Sequence, residues 1–348
     1  MFERRKTKQL YIANVGIGSS FPISVQSMTN TDTRNVKATV EQIKQLEEAG
    51  CELIRVAVVD KQAAQAIKAI KQEISIPIIA DIHFNPELAI ESINSGVDAL
   101  RLNPGNINNQ EAIQQIVTLS KQKQIPIRIG INSGSLEKEF SHLPIVEGMV
   151  SSALKHIKLL EDFDFNLIKI SLKSSSVPIT IKAYELLAKT VDYPFHIGLT
   201  EAGTFKAGSV KSSIGIGHLL IKGIGDTIRV SLTENPVEEV LIAYEILKAL
   251  ELRQHGINFI SCPTCGRCQI DVISLAKAVE EKLKGIKTPL TVAIMGCVVN
   301  GPGEAKHADI GIAGGDDKCV LFKKGQIIKT VEQKEVLDLL IKEISSII

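Results

Sequence analysis

The chain has 348 residues, 44% of them apolar, and a formal net charge of +1. That length suits two domains, or one barrel plus a smaller module, and the apolar fraction is enough for a large core. The near-neutral charge argues against a nucleic-acid or polyanion surface, and 4% aromatic residues with no Trp argues against base-stacking platforms.

The N-terminal run MFERRKTKQLYIANVGIG carries cations without a sustained apolar stretch, so no signal peptide is expected. No apolar run approaches the roughly 18 residues of a membrane-spanning helix. A cytoplasmic, reducing location is expected, one that favours metal ligation over disulfides for clustered cysteines.

Short apolar runs bounded by turn residues recur at 22–28, 53–59, 77–81, 99–103, 126–132, 167–172, 194–199 and 227–232. Between them lie helical patterns such as TVEQIKQLEEAG and PVEEVLIAYEILKALEL. Such alternation predicts an α/β fold, a (β/α)8 TIM barrel over residues 1–255. A doubly wound sheet would usually carry a Gly-rich nucleotide fingerprint, and the G-I-G runs here never complete G-x-G-x-x-G.

The strands carry a second pattern at period two. Asp81 and His83 share a face, as do Arg101 and Asn103, then Arg128, Gly130 and Asn132, then Lys169, Ser171 and Lys173. His196 pairs in the same way with Thr200, and Arg229 with Ser231. The opposite faces are Ile, Val and Leu, which belong against helices, so the polar faces point inward. Arg55, Arg101, Arg128, Lys169 and Arg229 then occupy a barrel interior, and Asp81 and Glu201 supply little counter-charge. A phosphate-bearing ligand at the C-terminal mouth supplies the rest; the bland reading keeps some of these cations as structural pairs. After the seventh run, TEAGTFKAGSVKSSIGIGHLL reads as a Gly-rich loop with Lys206 and Lys211, leading toward a helix. Loops in that position often bind phosphate, with a ligand-free lid as the plain alternative.

Residues 256–348 read as a small α/β module. GINFISCPTCGRC is a strand entering a cysteine loop, DVISLAKAVEEKLKG a helix and PLTVAIMGCVV a strand. ADIGIAGG and CVLFKKGQIIK are further strands, and VEQKEVLDLLIKEISSI closes as a helix. Cys262, Cys265 and Cys268 fall within seven residues, and Cys297 precedes NGPGE. Spacing alone leaves a four-thiolate zinc site and an iron–sulfur cluster evenly matched. A thioredoxin-like C-x-x-C is disfavoured by the third cysteine. The turn Gly301-Pro302-Gly303 could return Glu304 beside Cys297. Cys51 and Cys319 read as packing residues.

SVQSMTNTDT, ADIHF, LRLNPGNI, PIRIGINSGSLEK, TEAG, GIGDTIRVSL, GINFISCPTCGR and GCVVNGPGEA stand in this order along residues 20–305. They resemble the segments of the 4-hydroxy-3-methylbut-2-enyl diphosphate synthase family, in its short bacterial form. The resemblance implies an oxidoreductase of non-mevalonate isoprenoid biosynthesis. It would perform reductive ring opening and dehydration of 2-C-methyl-D-erythritol 2,4-cyclodiphosphate, with electrons from flavodoxin or ferredoxin. It further implies a homodimer, and a sulfite-reductase-like module holding a [4Fe–4S] cluster on Cys262, Cys265, Cys297 and Glu304. The same resemblance makes Arg55, Arg101, Arg128 and Lys173 diphosphate ligands, with Asp81, His83 and Asn132 also at the substrate, where Asn103 and Lys211 are expected from their places in the sequence. Glu201 becomes an acid/base group, with Glu304 also part of the chemistry. Cys268 departs from the family pattern and is expected to be a spare thiol, the alternative being that it competes with Glu304 as fourth ligand. The competing reading is a phosphate- or pterin-binding barrel transferase with a structural zinc module.

Overall fold

The computed structural model describes residues 3–83, 85–102, 109–297, 305–316 and 318–348. The chain divides into two compact units, 1–253 and 254–348.

The first unit is the barrel. Its strands are β3 (Ser24–Met28), β4 (Leu53–Ala57), β5 (Ile78–Asp81), β6 (Ala99–Leu102), β7 (Ile127–Asn132), β8 (Ile168–Lys173), β9 (His196–Ile197) and β10 (Thr227–Ile228). All neighbours run parallel in the order β8-β7-β6-β5-β4-β3-β10-β9. A parallel bridge between Ile170 and Phe195 joins the two ends, so the sheet closes on itself. Each strand is followed by a helix: α1 (Val36–Glu48), α2 (Lys61–Lys71), α3 (Pro86–Asn94), α4 (Gln110–Gln122), α5 (Ile145–Glu161), α6 (Val177–Leu187), α7 (Phe205–Ile221) and α8 (Pro236–Ala249). Start signals are visible locally. Asn35, Asp60, Asn109 and Ser176 accept from backbone N–H groups of the first turns of α1, α2, α4 and α6. Pro236 opens α8, where its missing N–H is no loss.

Strand alternation then sorts the side chains. Ile54, Val56, Ile78, Ala80, Leu100, Ile127, Ile129, Ile168 and Ile170 point outward and form one core with the helices. Inward, the lower end is apolar. Leu53, Ile79 and Ala99 pack with Leu10, Ile12 and Ile17. These last three come from β1 (Leu10–Ile12) and β2 (Val15–Ile17), a short antiparallel hairpin that plugs the N-terminal end of the barrel. The hairpin strands are three residues each, too short to show a period in the sequence.

The Gly-rich stretch after β9 differs from expectation. It is helical from Phe205 to Ile221, so Lys206 and Lys211 lie on α7 and not on a loop. Two of its glycines serve close packing. A Cβ on Gly208 would meet Leu232 at 2.5 Å, and one on Gly215 would meet Leu199 at 2.8 Å.

The second unit is a five-stranded sheet of β11 (Ile257–Ser261), β12 (Leu290–Met295), β13 (Ile310–Gly314), β14 (Lys318–Lys323) and β15 (Gln326–Glu332), in that order. The first three strands are parallel and the last two antiparallel. Helices α9 (Val272–Lys282) and α10 (Val336–Ser345) carry Val279, Val336, Leu340 and Ile344 onto Val292, Ile294, Ile312 and Leu321. The stretch 319–329, which reads in sequence as strand, is the hairpin β14–β15.

Candidate active site

Strand register assembles the upper interior of the barrel. Asp81 pairs with Arg101, Arg101 with Arg128, and Arg128 with Lys169, so four ionisable residues form one row across four strands. Ser171 and Lys173 follow on β8, opposite Gly130 and Asn132. Arg128 is 3% exposed, Lys169 2% and Lys173 7%, an interior unlike the branched apolar filling usual for this fold.

Asp81 holds the cations nearest to it. Arg101 Nη1 donates to Asp81 Oδ1 at 3.2 Å, Arg55 Nε lies 3.7 Å from Oδ2, and His83 Nε2 lies 3.5 Å from Oδ2. Burial tends to raise the Asp81 carboxyl, but Arg55, His83 and Arg101 overcome it and hold the group far below the usual carboxylate range. Desolvation is the largest influence on Arg55 and draws it down to about 10, still protonated at neutral pH. Desolvation likewise lowers Lys173, helped by Arg128, Arg229 and Arg55. Room for the row depends on Gly130: a Cβ there would sit 2.6 Å from Arg101 Nε.

Several buried polar nitrogens have no partner among the described residues. These are Arg128 Nε and Nη2, Arg101 Nε, Lys169 Nζ and His196 Nε2. Arg128 keeps one bond, Nη1 to Ser171 Oγ at 2.9 Å. His196 Nδ1 lies 2.8 Å from Thr227 Oγ1, and desolvation with the surrounding cations holds the ring well below its usual pKa, hence neutral. Unpartnered buried donors are costly, and cationic ones ask for an anion.

Above the row lies a cavity of about 190 Å³. That is room for a small molecule, the volume of roughly six waters. It is lined by Arg55, Asp81, His83, Arg101, Arg128, Asn132 and Lys173, with Ser171, Leu199, Thr200, Arg229 and Ser231. Seven residues expected at the substrate are thus brought together. Asn103 lies outside the described residues. Lys211 stands on an exposed face of α7, apart from the lining. Glu201 directly follows the lining residue Thr200, is exposed, and takes a left-handed φ of 52°. That conformation is strained for a residue with a Cβ, and such strain concentrates at functional sites.

Glu239 was not expected. It comes from the first turn of α8, is 4% exposed, and reaches into the barrel wall. Its carboxylate accepts from Arg229 Nε and Nη2, both at 3.2 Å, and from the Leu232 backbone N–H at 2.9 Å. It fixes Arg229, which makes no ion pair with Asp81. Sequence pattern gives little warning, because Glu238 and Glu239 stand together at a helix start where both read as solvated.

The acid dependence of stability follows from Asp81. Its carboxyl is depressed in the folded chain, so it contributes stability above the unfolded value of about 4, and that contribution drains as pH falls from there toward the folded value. Unfolding measured from pH 6 downward is expected to show a steep acid decline, and Asp81→Asn a lower starting stability with a shallower decline. Equal slopes in the two proteins would remove Asp81 from this role.

In the second unit, Cys262 follows β11 and Cys297 follows β12, and these strands are parallel neighbours. Cys262 is half-buried, Cys265 exposed and Cys297 buried. The Gly296 N–H donates to Cys262 Sγ at 3.0 Å, a bond suited to a thiolate. Cys51 and Cys319 are buried, as expected of packing residues, and burial raises both thiols. Glu304 lies outside the described residues. Among the described residues no three His, Cys, Asp or Glu side chains converge as a ligand set.

The chain matches the GcpE TIM-barrel domain over residues 7–244 and the GcpE protein C-terminal domain over residues 258–346. It is 57% identical over 348 residues to the 4-hydroxy-3-methylbut-2-en-1-yl diphosphate synthase (flavodoxin) of Caldanaerobacter subterraneus subsp. tengcongensis, covering 99% of this chain and 98% of that one. It is 54% identical over 349 residues to the protein of the same name from Geobacter sulfurreducens, covering 99% of each. Among solved structures, dihydropteroate synthase from Stenotrophomonas maltophilia aligns over 70% of this chain and 98% of its own, with a TM-score of 0.54 and 16% identity. Type I 3-dehydroquinate dehydratase from Clostridium difficile gives 0.52 and 16% over the same shares. At that identity the likeness is of the barrel fold alone. Both domain matches fall in order and the curated relatives align end to end, and the chain belongs to the 4-hydroxy-3-methylbut-2-en-1-yl diphosphate synthase (flavodoxin) family.

Proposed function

We propose that the chain converts 2-C-methyl-D-erythritol 2,4-cyclodiphosphate to (E)-4-hydroxy-3-methylbut-2-enyl diphosphate in non-mevalonate isoprenoid biosynthesis, in the cytoplasm. Two electrons and two protons enter and one water leaves. The observation that carries this reading is the small cavity over a row of buried cations, several of whose donors have no partner among the described residues. A cyclic diphosphate offers the two negative groups and the size that such a site calls for.

Arg55, Arg101, Arg128 and Lys173 grip the diphosphate, while Asn132 and His83 orient the carbon skeleton. Asp81 keeps the arginines apart and aimed upward. Glu201, at the lip beyond Thr200, holds the proton for the departing oxygen. Asn103 and Lys211 are assigned to substrate from their places in the sequence, Asn103 on the polar face of its predicted strand and Lys211 in the Gly-rich stretch after the seventh.

The residues of the second unit fit an iron–sulfur group. Three thiols, those of Cys262, Cys265 and Cys297, stand at the ends of two adjacent strands, and the Gly296 N–H is already directed at one sulfur. We assign a [4Fe–4S] cluster to these cysteines with Glu304, within the module 256–348. When bound, it supplies the two electrons, received singly from flavodoxin, which the relatives' names specify, or from ferredoxin. A homodimer completes the proposal. No helix among the described residues is long and apolar enough to cross a membrane.

The test is iron and acid-labile sulfide per chain on protein purified without oxygen, followed by turnover with reduced flavodoxin. About four of each per chain, with product formed, is the expected result. Glu201→Gln should retain the iron and sulfide and bind substrate while losing turnover. Zinc without sulfide would overturn the reading in favour of a zinc-bearing transferase.

A further inference from the structure

Cys268 is the cysteine of the loop that the proposed ligand set leaves over, and its surroundings are specific. A Cβ placed on Gly296 would lie 2.5 Å from Cys268 Sγ and 3.4 Å from Cys262 Sγ. The two sulfurs therefore border one and the same space, that of a single methyl group, which only glycine at 296 leaves open. Both are anchored: Cys262 Sγ accepts from the Gly296 N–H at 3.0 Å, and Cys268 Sγ donates to the Ile270 carbonyl at 3.2 Å. A backbone turn, with the Cys268 N–H on the Cys265 carbonyl at 3.0 Å, swings residue 268 back toward 262 while Cys265 remains exposed.

We propose that Cys268 is a resolving thiol, forming a reversible disulfide with Cys262 when the cluster-free chain meets a peroxide. The Cys262 sulfur attacks one peroxide oxygen, the O–O bond breaks, and a sulfenic acid on Cys262 and one water result. The Cys268 sulfur then displaces the hydroxyl from that sulfenic sulfur, and it leaves as a second water. Each sulfur gives up one electron and the peroxide takes two. The bond stops Cys262 from passing to irreversible sulfinic acid. Half-burial of both thiols still admits so small an oxidant. The pairing rests on sulfur geometry; its consequence for iron loading rests on the ligand assignment above.

Sequence chemistry makes the pairing readable. Trypsin cuts after Arg253, Arg267 and Lys277, placing Cys262 and Cys265 on one peptide and Cys268 on the next. Fragmentation before Pro263 then separates Cys262 from Cys265. Full-length cluster-free chain is treated with hydrogen peroxide, its remaining thiols are alkylated, and the digest is weighed. The expected product is a linked peptide pair, two hydrogens lighter, joined through Cys262, reversed by dithiothreitol and missing in Cys268→Ser. Oxidised wild-type chain should take up no iron until reduced and then recover fully, whereas Cys268→Ser should recover less after the same exposure. A link through Cys265 or Cys297, or alkylation of both Cys262 and Cys268, would overturn the proposal. A Cys262–Cys268 link that leaves iron uptake unchanged would uphold the pairing and instead remove Cys262 from the cluster ligands.

Discussion

Replacing Arg128 with Met is expected to make the free chain more stable and to abolish substrate binding. Arg128 is buried between Arg101 and Lys169 in strand register, and among the described residues it has one hydrogen bond, to Ser171, and two nitrogens without a partner. Desolvation lowers its pKa well below the ordinary value, and Arg55 and Arg101 lower it further, so the fold resists this charge. Met has similar length, no charge and a flexible stem that can fill the space. Exchanging buried charge for apolar volume stabilises by about 1–4 kcal/mol in favourable cases. Two charge-assisted hydrogen bonds to a diphosphate, at about 1.5–3 kcal/mol each, amount to a hundredfold or more in affinity. Thermal unfolding and calorimetric titration with the cyclodiphosphate read the two effects separately. Lys169→Met is the control: Lys169 is equally buried but does not line the cavity, so it should stabilise with much smaller loss of affinity. A less stable Arg128→Met that binds normally would mean that the row is structural.

That stability and binding should move in opposite directions here was largely legible in the sequence, for a geometric reason. A strand turns alternate side chains to opposite faces, so IRIGIN and IKISLK declare which residues enter the barrel without any knowledge of its neighbours. The anion that answers them on the far side was not legible. Glu239 sits on a helix, where the inward direction depends on how α8 lies against the barrel, and Glu238 beside it has the same composition. The Gly-rich stretch after β9 misleads for a related reason. Glycine in a sequence signals a turn, yet in α7 its missing side chain lets Leu232 and Leu199 approach. The cysteine loop lies between these cases. Spacing identified the sulfurs, but only the fold shows Cys268 beside Cys262 and a glycine holding the space between them.

Glu239→Gln is expected to weaken both the fold and the site. The wild-type carboxylate accepts from two nitrogens of Arg229 and from the Leu232 N–H, and it lies 3.4 Å from Ser27 Oγ. Gln preserves the shape and one acceptor, but it turns an NH2 group toward a guanidinium and removes the charge opposing it. Breaking one partner of a buried pair typically costs about 3–5 kcal/mol, because the remaining charge is left uncompensated. Arg229 also lines the cavity, where its Nη1 rests 3.7 Å from Met28 Sδ. Freed from Glu239, it can swing onto the row around Asp81 or out toward solvent, and the site loses a positioned cation. The melting temperature should fall by several degrees, and KM should rise more than kcat falls, since Glu239 does not line the cavity itself. A double-variant cycle with Arg229→Met separates this from a packing defect. If the pair is the cause, Arg229→Met placed on top of Glu239→Gln restores part of the lost stability, because the orphaned charge is gone. Strict additivity of the two losses would show that Glu239 acts through something other than Arg229.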